Sequence, residues 1–133
     1  MQMCVLPDIS RPLLDKFYRA HQSPMRAKGE AKAWVARDVD IIAALCLTPV
    51  AQGHWLTGLF VAPDRRGQGI AKGLVEAAVA KASGSVWLFC DPQLTDFYAG
   101  LRFESVSDLP QALAGRLARY TRTKSLVALR RQL

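Results

Sequence analysis

An apolar strand end, two arginines and two spaced glycines stand together in the run Leu59-Phe60-Val61-Ala62-Pro63-Asp64-Arg65-Arg66-Gly67-Gln68-Gly69-Ile70-Ala71. No other stretch constrains the fold as tightly. The strand must stop at Pro63. Just beyond the glycines, Ile70, Leu74, Val75, Ala78 and Val79 recur at helical spacing. Strand, basic glycine turn and helix N-terminus therefore succeed one another with almost no linker. Such an arrangement gathers backbone N–H groups and the positive end of a helix around an anion. Two glycines alone would also serve merely to end a strand and admit a helix. Arg65 and Arg66 add charge where the turn would meet a phosphate, and Gly69, Ala71 and Gly73 leave the first helical turn open to close approach.

Neither of the two better-known phosphate loops fits. A Walker loop ends in Gly-Lys-Ser/Thr, which the chain lacks. The dinucleotide fingerprint needs a different spacing from that of Gly67, Gly69 and Gly73.

The spacing Arg66-x-x-Gly69-x-Ala71 instead resembles the acetyl-CoA pyrophosphate loop of the GNAT superfamily of N-acetyltransferases, whose pattern is Gln/Arg-x-x-Gly-x-Gly/Ala after an apolar strand. A second segment, Asp96-Phe97-Tyr98-Ala99-Gly100-Leu101-Arg102-Phe103, is similar to the family's Phe-Tyr helix preceding a Gly-Phe. Arg102 stands where the family usually has glycine, and Asp91 near where many members carry asparagine. The resemblance implies that Arg65, Arg66, Gly67, Gln68, Gly69, Ile70, Ala71 and Lys72 hold the pyrophosphate. It implies that the backbone of Leu59, Phe60 and Val61 binds the pantetheine arm and orients the acetyl carbonyl, and that Tyr98 protonates the leaving thiolate. The bland alternative for Phe97 and Tyr98 is ordinary packing on a sheet. The implied cofactor is acetyl-CoA as co-substrate, with no metal.

At 133 residues the chain reads as a single domain, Met1 to Leu133, and half its residues are apolar. No apolar run approaches the roughly 20 residues that span a membrane. Met1 to Leu6, followed by Pro7 and Asp8, lacks a basic start and a long apolar stretch, so it reads as a first strand and not as a signal peptide. Cys4, Cys46 and Cys90 lie in apolar, strand-like runs without metal-ligand spacing, as buried thiols in a reducing cytoplasm would. The net charge of +7 suits a polyanionic ligand. Much of the excess lies at Lys16 to Lys32 and from Arg116 onward, where no acid follows Asp108. That surface reads as solvated. Neither a nucleic-acid motif nor interleaved aromatics accompany it.

The chain has neither repeats nor low-complexity linkers. Cys4–Leu6 reads as a strand, and Ser10 caps a helix carrying Pro12, Leu13, Leu14, Phe17 and Tyr18. His21–Lys32 is irregular. Ala33–Ala36 and Ile41–Leu47 are strands joined through Asp38-Val39-Asp40, and His54–Ala62 is the next. A helix runs from Gly69 to about Ser83, stopped by Gly84. Val86–Cys90 is a strand, Leu94–Leu101 a helix, and Phe103–Val106 begins a strand. Asp108 and Pro110 open a last helix with Leu113 and Leu117, and Ser125–Leu129 closes the sheet. The order β-α-β-β-β-α-β-α-β-α-β predicts an α/β (α+β) fold with a mixed, twisted central sheet of about seven strands flanked by helices. It resembles the GNAT acyl-CoA N-acyltransferase fold over nearly the whole chain. By that resemblance His54–Ala62 and Val86–Cys90 run parallel and splay apart, with a bulge plausible at Gly58.

Amine acetylation needs a proton acceptor. Many GNAT enzymes place a glutamate on the strand before the loop, but Gly53–Ala62 contains no carboxylate, and Trp55 falls near that position. His54 is the titratable side chain on this strand and a candidate base. His21, Glu30 or a water relay are the alternatives. The leading expectation is an acetyl-CoA-dependent N-acetyltransferase moving an acetyl group directly to a primary amine of a small or amino-acid-like acceptor. The alternatives are a non-catalytic acyl-CoA-binding regulator of a protein partner and a nucleic-acid-binding domain supported by charge alone. A basic rim at Phe17–Lys32 and Tyr120–Lys124 favours acceptors carrying carboxylate or phosphate over polyamines. Nothing in the sequence bars a homodimer, and no membrane partner is expected.

Overall fold

In the computed structural model, which describes Met1–Leu133 throughout, the elements are β1 (Gln2–Val5), α1 (Arg11–Ala20), β2 (Lys32–Asp38), β3 (Asp40–Val50), β4 (Gly53–Val61), α2 (Ile70–Val79), β5 (Ser85–Cys90), α3 (Thr95–Ala99), β6 (Glu104–Ser105), α4 (Gln111–Tyr120) and β7 (Val127–Gln132). The order is the one read from the sequence. Seven strands form one sheet in the order β1-β2-β3-β4-β5-β7-β6. β4 and β5 pair in parallel. The pairs β1–β2, β2–β3, β5–β7 and β6–β7 are antiparallel. The sheet is therefore mixed, as expected from short turns early in the chain and helical crossovers later. No helix is long and apolar enough to cross a membrane.

Most element ends shift by a few residues from the sequence reading, and four differences have a visible cause or partner. α2 ends at Val79 and not near Ser83. The chain must leave the helix early, because Ser85 already donates to the Gln52 carbonyl and starts β5. Ser10 sits at the N-cap of α1, but its side chain makes no capping bond. The residues before it form a 3-10 turn, Asp8–Ser10. Arg11 instead ties the helix start to the irregular segment, donating to the carbonyls of Gly29 and Ala31 at 2.9 and 2.7 Å. β7 lies two residues later than its apolar run suggests, because its ladder with β5 runs from Cys90↔Val127 to Ser85↔Gln132. β1 is Gln2–Val5 instead of Cys4–Leu6, in register with Arg37 to Trp34 of β2.

Contacts divide the chain into two compact units. The first comprises Met1–Thr48 and Leu56–Lys81. Its core forms because α1 presents Leu14, Phe17 and Tyr18 on one stripe and β2 presents Ala33 and Val35 at period two. Ala44, Cys46 and Ala62 complete that cluster, while α2 packs against β1 and β2. The second unit comprises Pro49–Trp55 and Ala82–Leu133. Here the start of β4 pairs with β5 as Gly53↔Ser85, His54↔Val86 and Trp55↔Trp87. The parallel ladder goes no further. Leu88, Leu113 and Leu129 are fully or almost fully buried.

Gly58 holds a φ of +65°, a left-handed backbone in mid-strand. Its carbonyl accepts a 2.7 Å hydrogen bond from the Tyr18 hydroxyl. A Cβ at this position would sit 2.8 Å from that hydroxyl, so both conformation and space require glycine. Tyr18 is fully buried, and burial holds its phenol far above the usual tyrosine range, so it stays a donor. Tyr18→Phe should therefore cost about 1–3 kcal/mol, the loss expected when a buried carbonyl is left unpaired. A lowered urea midpoint at unchanged slope would show it. An unchanged midpoint would mean the bond does not anchor α1.

Candidate active site

The basic turn is built by the first unit. β4 delivers the chain at Val61, and Ala62 N–H bonds to the Ile42 carbonyl of β3 at 2.8 Å. Pro63–Arg65 makes one 3-10 turn. Gly67 and Gly69 both take left-handed backbone, at φ of 80° and 76°, and turn the chain into α2. Nothing lies within 4 Å of where their side chains would start. Arg66 through Gly69 are exposed, while Ile70 is buried and fixes the helix start.

The N-terminus of α2 is bare. Gly69 gives no side-chain cap, and the first turn holds no acid. The first N–H groups of a helix have no partner within it, and the end carries about half a positive charge. Nothing in the chain's own cap neutralises that charge. The site is open to an external anion.

The two arginines do different things. Arg65 is ion-paired to Asp38 at 3.0 Å, which ties the turn to the β2–β3 hairpin and balances its charge. Arg66 donates from Nε to the Val61 carbonyl at 3.0 Å, and its guanidinium lies 5.2 Å from the centre of the Phe60 ring. Phe60 in turn meets Phe17 and His21 with ring centres 6.0 and 5.4 Å apart. The stack holds Arg66 in place and leaves its remaining N–H donors for an oxyanion. Gln68 and Lys72 stand exposed beside it, and Ala71 keeps the first turn narrow. Leu59 and Phe60 are half-buried, and Val61 is buried.

Tyr98 is placed by the second unit. A 3-10 turn at Pro92–Leu94, held by Asp91 accepting from the Gln93 N–H at 2.8 Å, leads into the short helix α3. Phe97 faces solvent and Tyr98 is buried, its ring 6.0 Å from that of Phe103. The helix ends with Phe103 N–H bonded to the Tyr98 carbonyl and Arg102 N–H to that of Ala99. This is a Schellman turn, and Arg102 occupies its left-handed position at φ of 68°. That is the conformation for which the glycine of the family pattern is suited.

Burial pushes the Tyr98 phenol up to about 12, and the neighbouring Cys90 adds to the shift. Cys90 is buried, which pushes its own thiol up as well. At neutral pH this gives a phenol that keeps its proton and donates it to a hydrogen bond. His54 lies in the paired start of β4, opposite Val86. Its Nδ1 is buried and unpartnered. Strand alternation sets His54 on the sheet face of Val86, Leu88 and Cys90. Cys90 is four positions beyond Val86, about 13 Å along the strand. His54 and Tyr98 therefore share a face but do not touch. Sequence reasoning did not mark Cys90 as Tyr98's neighbour. It also did not mark Trp87 and Arg116, which flank Trp55. Only the β4–β5 ladder and the position of α4 bring these groups together.

A family model described as an acetyltransferase (GNAT) domain matches residues 29–105, more than half of the chain. The fold is similar to that of several solved structures. Ribosomal-protein-S18-alanine N-acetyltransferase from Escherichia coli superposes with a TM-score of 0.73 at 14% identity, over 98% of this chain and 92% of that one. The GNAT-family N-acetyltransferase YhbS from Escherichia coli, solved in complex with CoA, gives 0.71 at 20% identity, over 98% and 80%. N-acetylglutamate synthase from Neisseria gonorrhoeae gives 0.70 at 14% identity. The match takes in the whole of this chain but only 35% of the synthase. No curated protein sequence matches. A mixed seven-stranded sheet flanked by four helices is thus the acyl-CoA N-acyltransferase fold. The chain belongs to the GNAT acetyltransferase family.

The phenol's position fixes its alkaline behaviour. Because its pKa is raised on folding, the contribution of Tyr98 to stability is complete below pH 10 and fades as pH rises towards 12. In a spectrophotometric titration, wild type and Tyr98→Phe should differ in phenolate absorbance only above about pH 11. A difference centred near pH 10 would show an exposed phenol.

Proposed function

We propose that this chain is an acetyl-CoA-dependent N-acetyltransferase, acting as one domain over residues 1–133. It transfers an acetyl group directly to a primary amine of a small or amino-acid-like acceptor. Family membership supports acetyl transfer. The observation that carries the cofactor reading is the bare, acid-free N-terminus of α2 next to a stacked Arg66. YhbS and N-acetylglutamate synthase, which share the fold, were both solved in complex with coenzyme A.

In this reading the N–H groups of Gly67 to Lys72 and the Arg66 guanidinium hold the pyrophosphate, with Arg65 stabilising the turn through Asp38. The backbone of Leu59, Phe60 and Val61 binds the pantetheine arm and polarises the acetyl carbonyl. The amine lone pair attacks the thioester carbon. A C–N bond forms, the C–S bond breaks, and sulfur leaves with the electron pair. Tyr98 O–H donates to the developing thiolate. A phenol near 12 is a weaker acid than a thiol near 8.5, so its contribution is mainly the hydrogen bond. The proton lost by the acceptor nitrogen balances the one gained by sulfur. A water relay takes that proton, because His54 sits in the paired start of β4, about 13 Å along β5 from Cys90. Three free cysteines suit a reducing, cytoplasmic setting.

Titration calorimetry with acetyl-CoA and desulfo-CoA tests the site. Arg66→Glu should weaken binding at least tenfold. Tyr98→Phe should lower kcat about 10- to 100-fold with Kd within about twofold, since the hydroxyl acts on charge that develops in the transition state. No heat of binding at high micromolar ligand would overturn the acetyl-CoA reading. Binding without thiol release across a broad amine panel would point instead to a non-catalytic acyl-CoA-binding regulator.

A further inference from the structure

The second unit carries an aromatic face that the acetyl-transfer step does not use. Trp55 and Trp87 are register partners in the parallel ladder, so their side chains leave the sheet on the same side. Phe89, two residues on, joins them, with its ring centre 5.6 Å from that of Trp55. Tyr120 of α4 meets Phe89 edge-on at 6.3 Å, and the Arg116 guanidinium of α4 lies 5.0 Å over the Trp55 ring. Cys90, beside which Tyr98 lies, points to the opposite side of β5.

Three observations mark this face as a ligand site. The indole Nε1 atoms of Trp55 and Trp87 are both buried without a hydrogen-bond partner, and Trp87 as a whole is 6% exposed. A native fold rarely leaves two such donors idle on one surface. Arg116 is exposed, forms no salt bridge, and no acid follows Asp108 in the sequence. A guanidinium carries a planar fork of N–H donors, the geometry that matches a planar carboxylate. Finally, α4 lies beyond Ser105, outside the residues matched by the family model, and Leu113 is its one buried residue. Its Arg116 and Tyr120 side chains lie against the aromatic face.

We propose that this face, with Arg116 stacked on Trp55, binds the acceptor and selects amines that carry a carboxylate. The proposal rests on the acetyltransferase reading and names its substrate class. Arg116 takes the carboxylate, and an indole N–H supplies a second donor. The acceptor is then held on the face of β5 opposite Cys90, and its amine lone pair adds to the acyl carbon before the thiolate leaves. Polyamines are repelled by Arg116, Arg119, Arg122 and Lys124. On this face Arg116 covers Trp55 and Tyr120 abuts Phe89, which leaves no flat ring surface for a nucleobase to stack on.

The test is an acceptor panel in matched sets, each an α-amino acid, its carboxamide, its decarboxylated amine and a dipeptide ending in it, read by thiol release. The carboxylate form should exceed the amide and the amine at least tenfold in kcat/KM. The dipeptide arm tells a free amino acid from a peptide end. Arg116→Gln should abolish the preference by raising KM at least tenfold for carboxylate acceptors, with kcat changed less than threefold and acetyl-CoA affinity unchanged. Arg116→Lys should restore it in part. Titrating the same compounds without acetyl-CoA, with tryptophan fluorescence as readout, checks binding independently of turnover. A carboxylate-dependent signal lost in Arg116→Gln supports the site. A flat panel, a preference for polyamines or phosphorylated amines, or a ratio unmoved by Arg116→Gln overturns it. Absent acetyl-CoA binding strikes the acetyltransferase reading, whereas a flat panel in a protein that binds acetyl-CoA strikes this proposal alone.

Discussion

The hydrogen bond from the Tyr18 hydroxyl to the Gly58 carbonyl is the contact on which the first unit depends. Gly58 sits at a φ that other residues resist, and its carbonyl is turned to α1 instead of a neighbouring strand. That conformation interrupts the alternation of β4 and sets the course of the next residues. Phe60 comes to lie against Phe17 and His21, and Val61 offers its carbonyl to Arg66. A buried tyrosine, kept protonated by its burial, thus sets the direction in which the strand delivers the basic turn.

Two adjacent arginines illustrate how packing assigns chemistry. In the sequence Arg65 and Arg66 are equivalent cations. In the fold Arg65 balances Asp38 and serves the turn, while Arg66 lies over the Phe60 ring with Nε on the Val61 carbonyl. The surface pair is worth little as stability in water. Its effect is positional, because it joins the turn to the β2–β3 hairpin. The bare end of α2 completes the arrangement. A helix start without a capping side chain or an acid leaves its N–H groups to water or to a ligand.

In the second unit, burial does the equivalent work. Tyr98 is withdrawn from solvent beside Cys90, and its proton is held more tightly than in water. A phenol so placed is a persistent hydrogen-bond donor and a poor acid. On the other side of β5, α4 rests on an aromatic surface through Arg116 and Tyr120. Two faces of one strand therefore carry different chemistry, one phenolic and dry, the other cationic and aromatic.

The order of elements, the mixed sheet and the strand–turn–helix at Leu59–Ala71 are legible in the chain before any folding is known. Those features are encoded locally: helical spacing, period-two alternation, and glycines where the backbone must turn left-handed. The sequence also marked Tyr98, because the Phe-Tyr segment is contiguous. It misplaced the end of α2, the capping role of Ser10 and the register of β7. Those depend on partners far along the chain, Gln52, Gly29 and β5 among them. Long-range packing separates Arg65 from Arg66, sets Cys90 beside Tyr98, places His54 away from it, and brings Arg116 of α4 over Trp55. The physical reason is the same each time. An amino acid's charge and shape are written in the chain, but its free valence depends on which partner the fold has already given it.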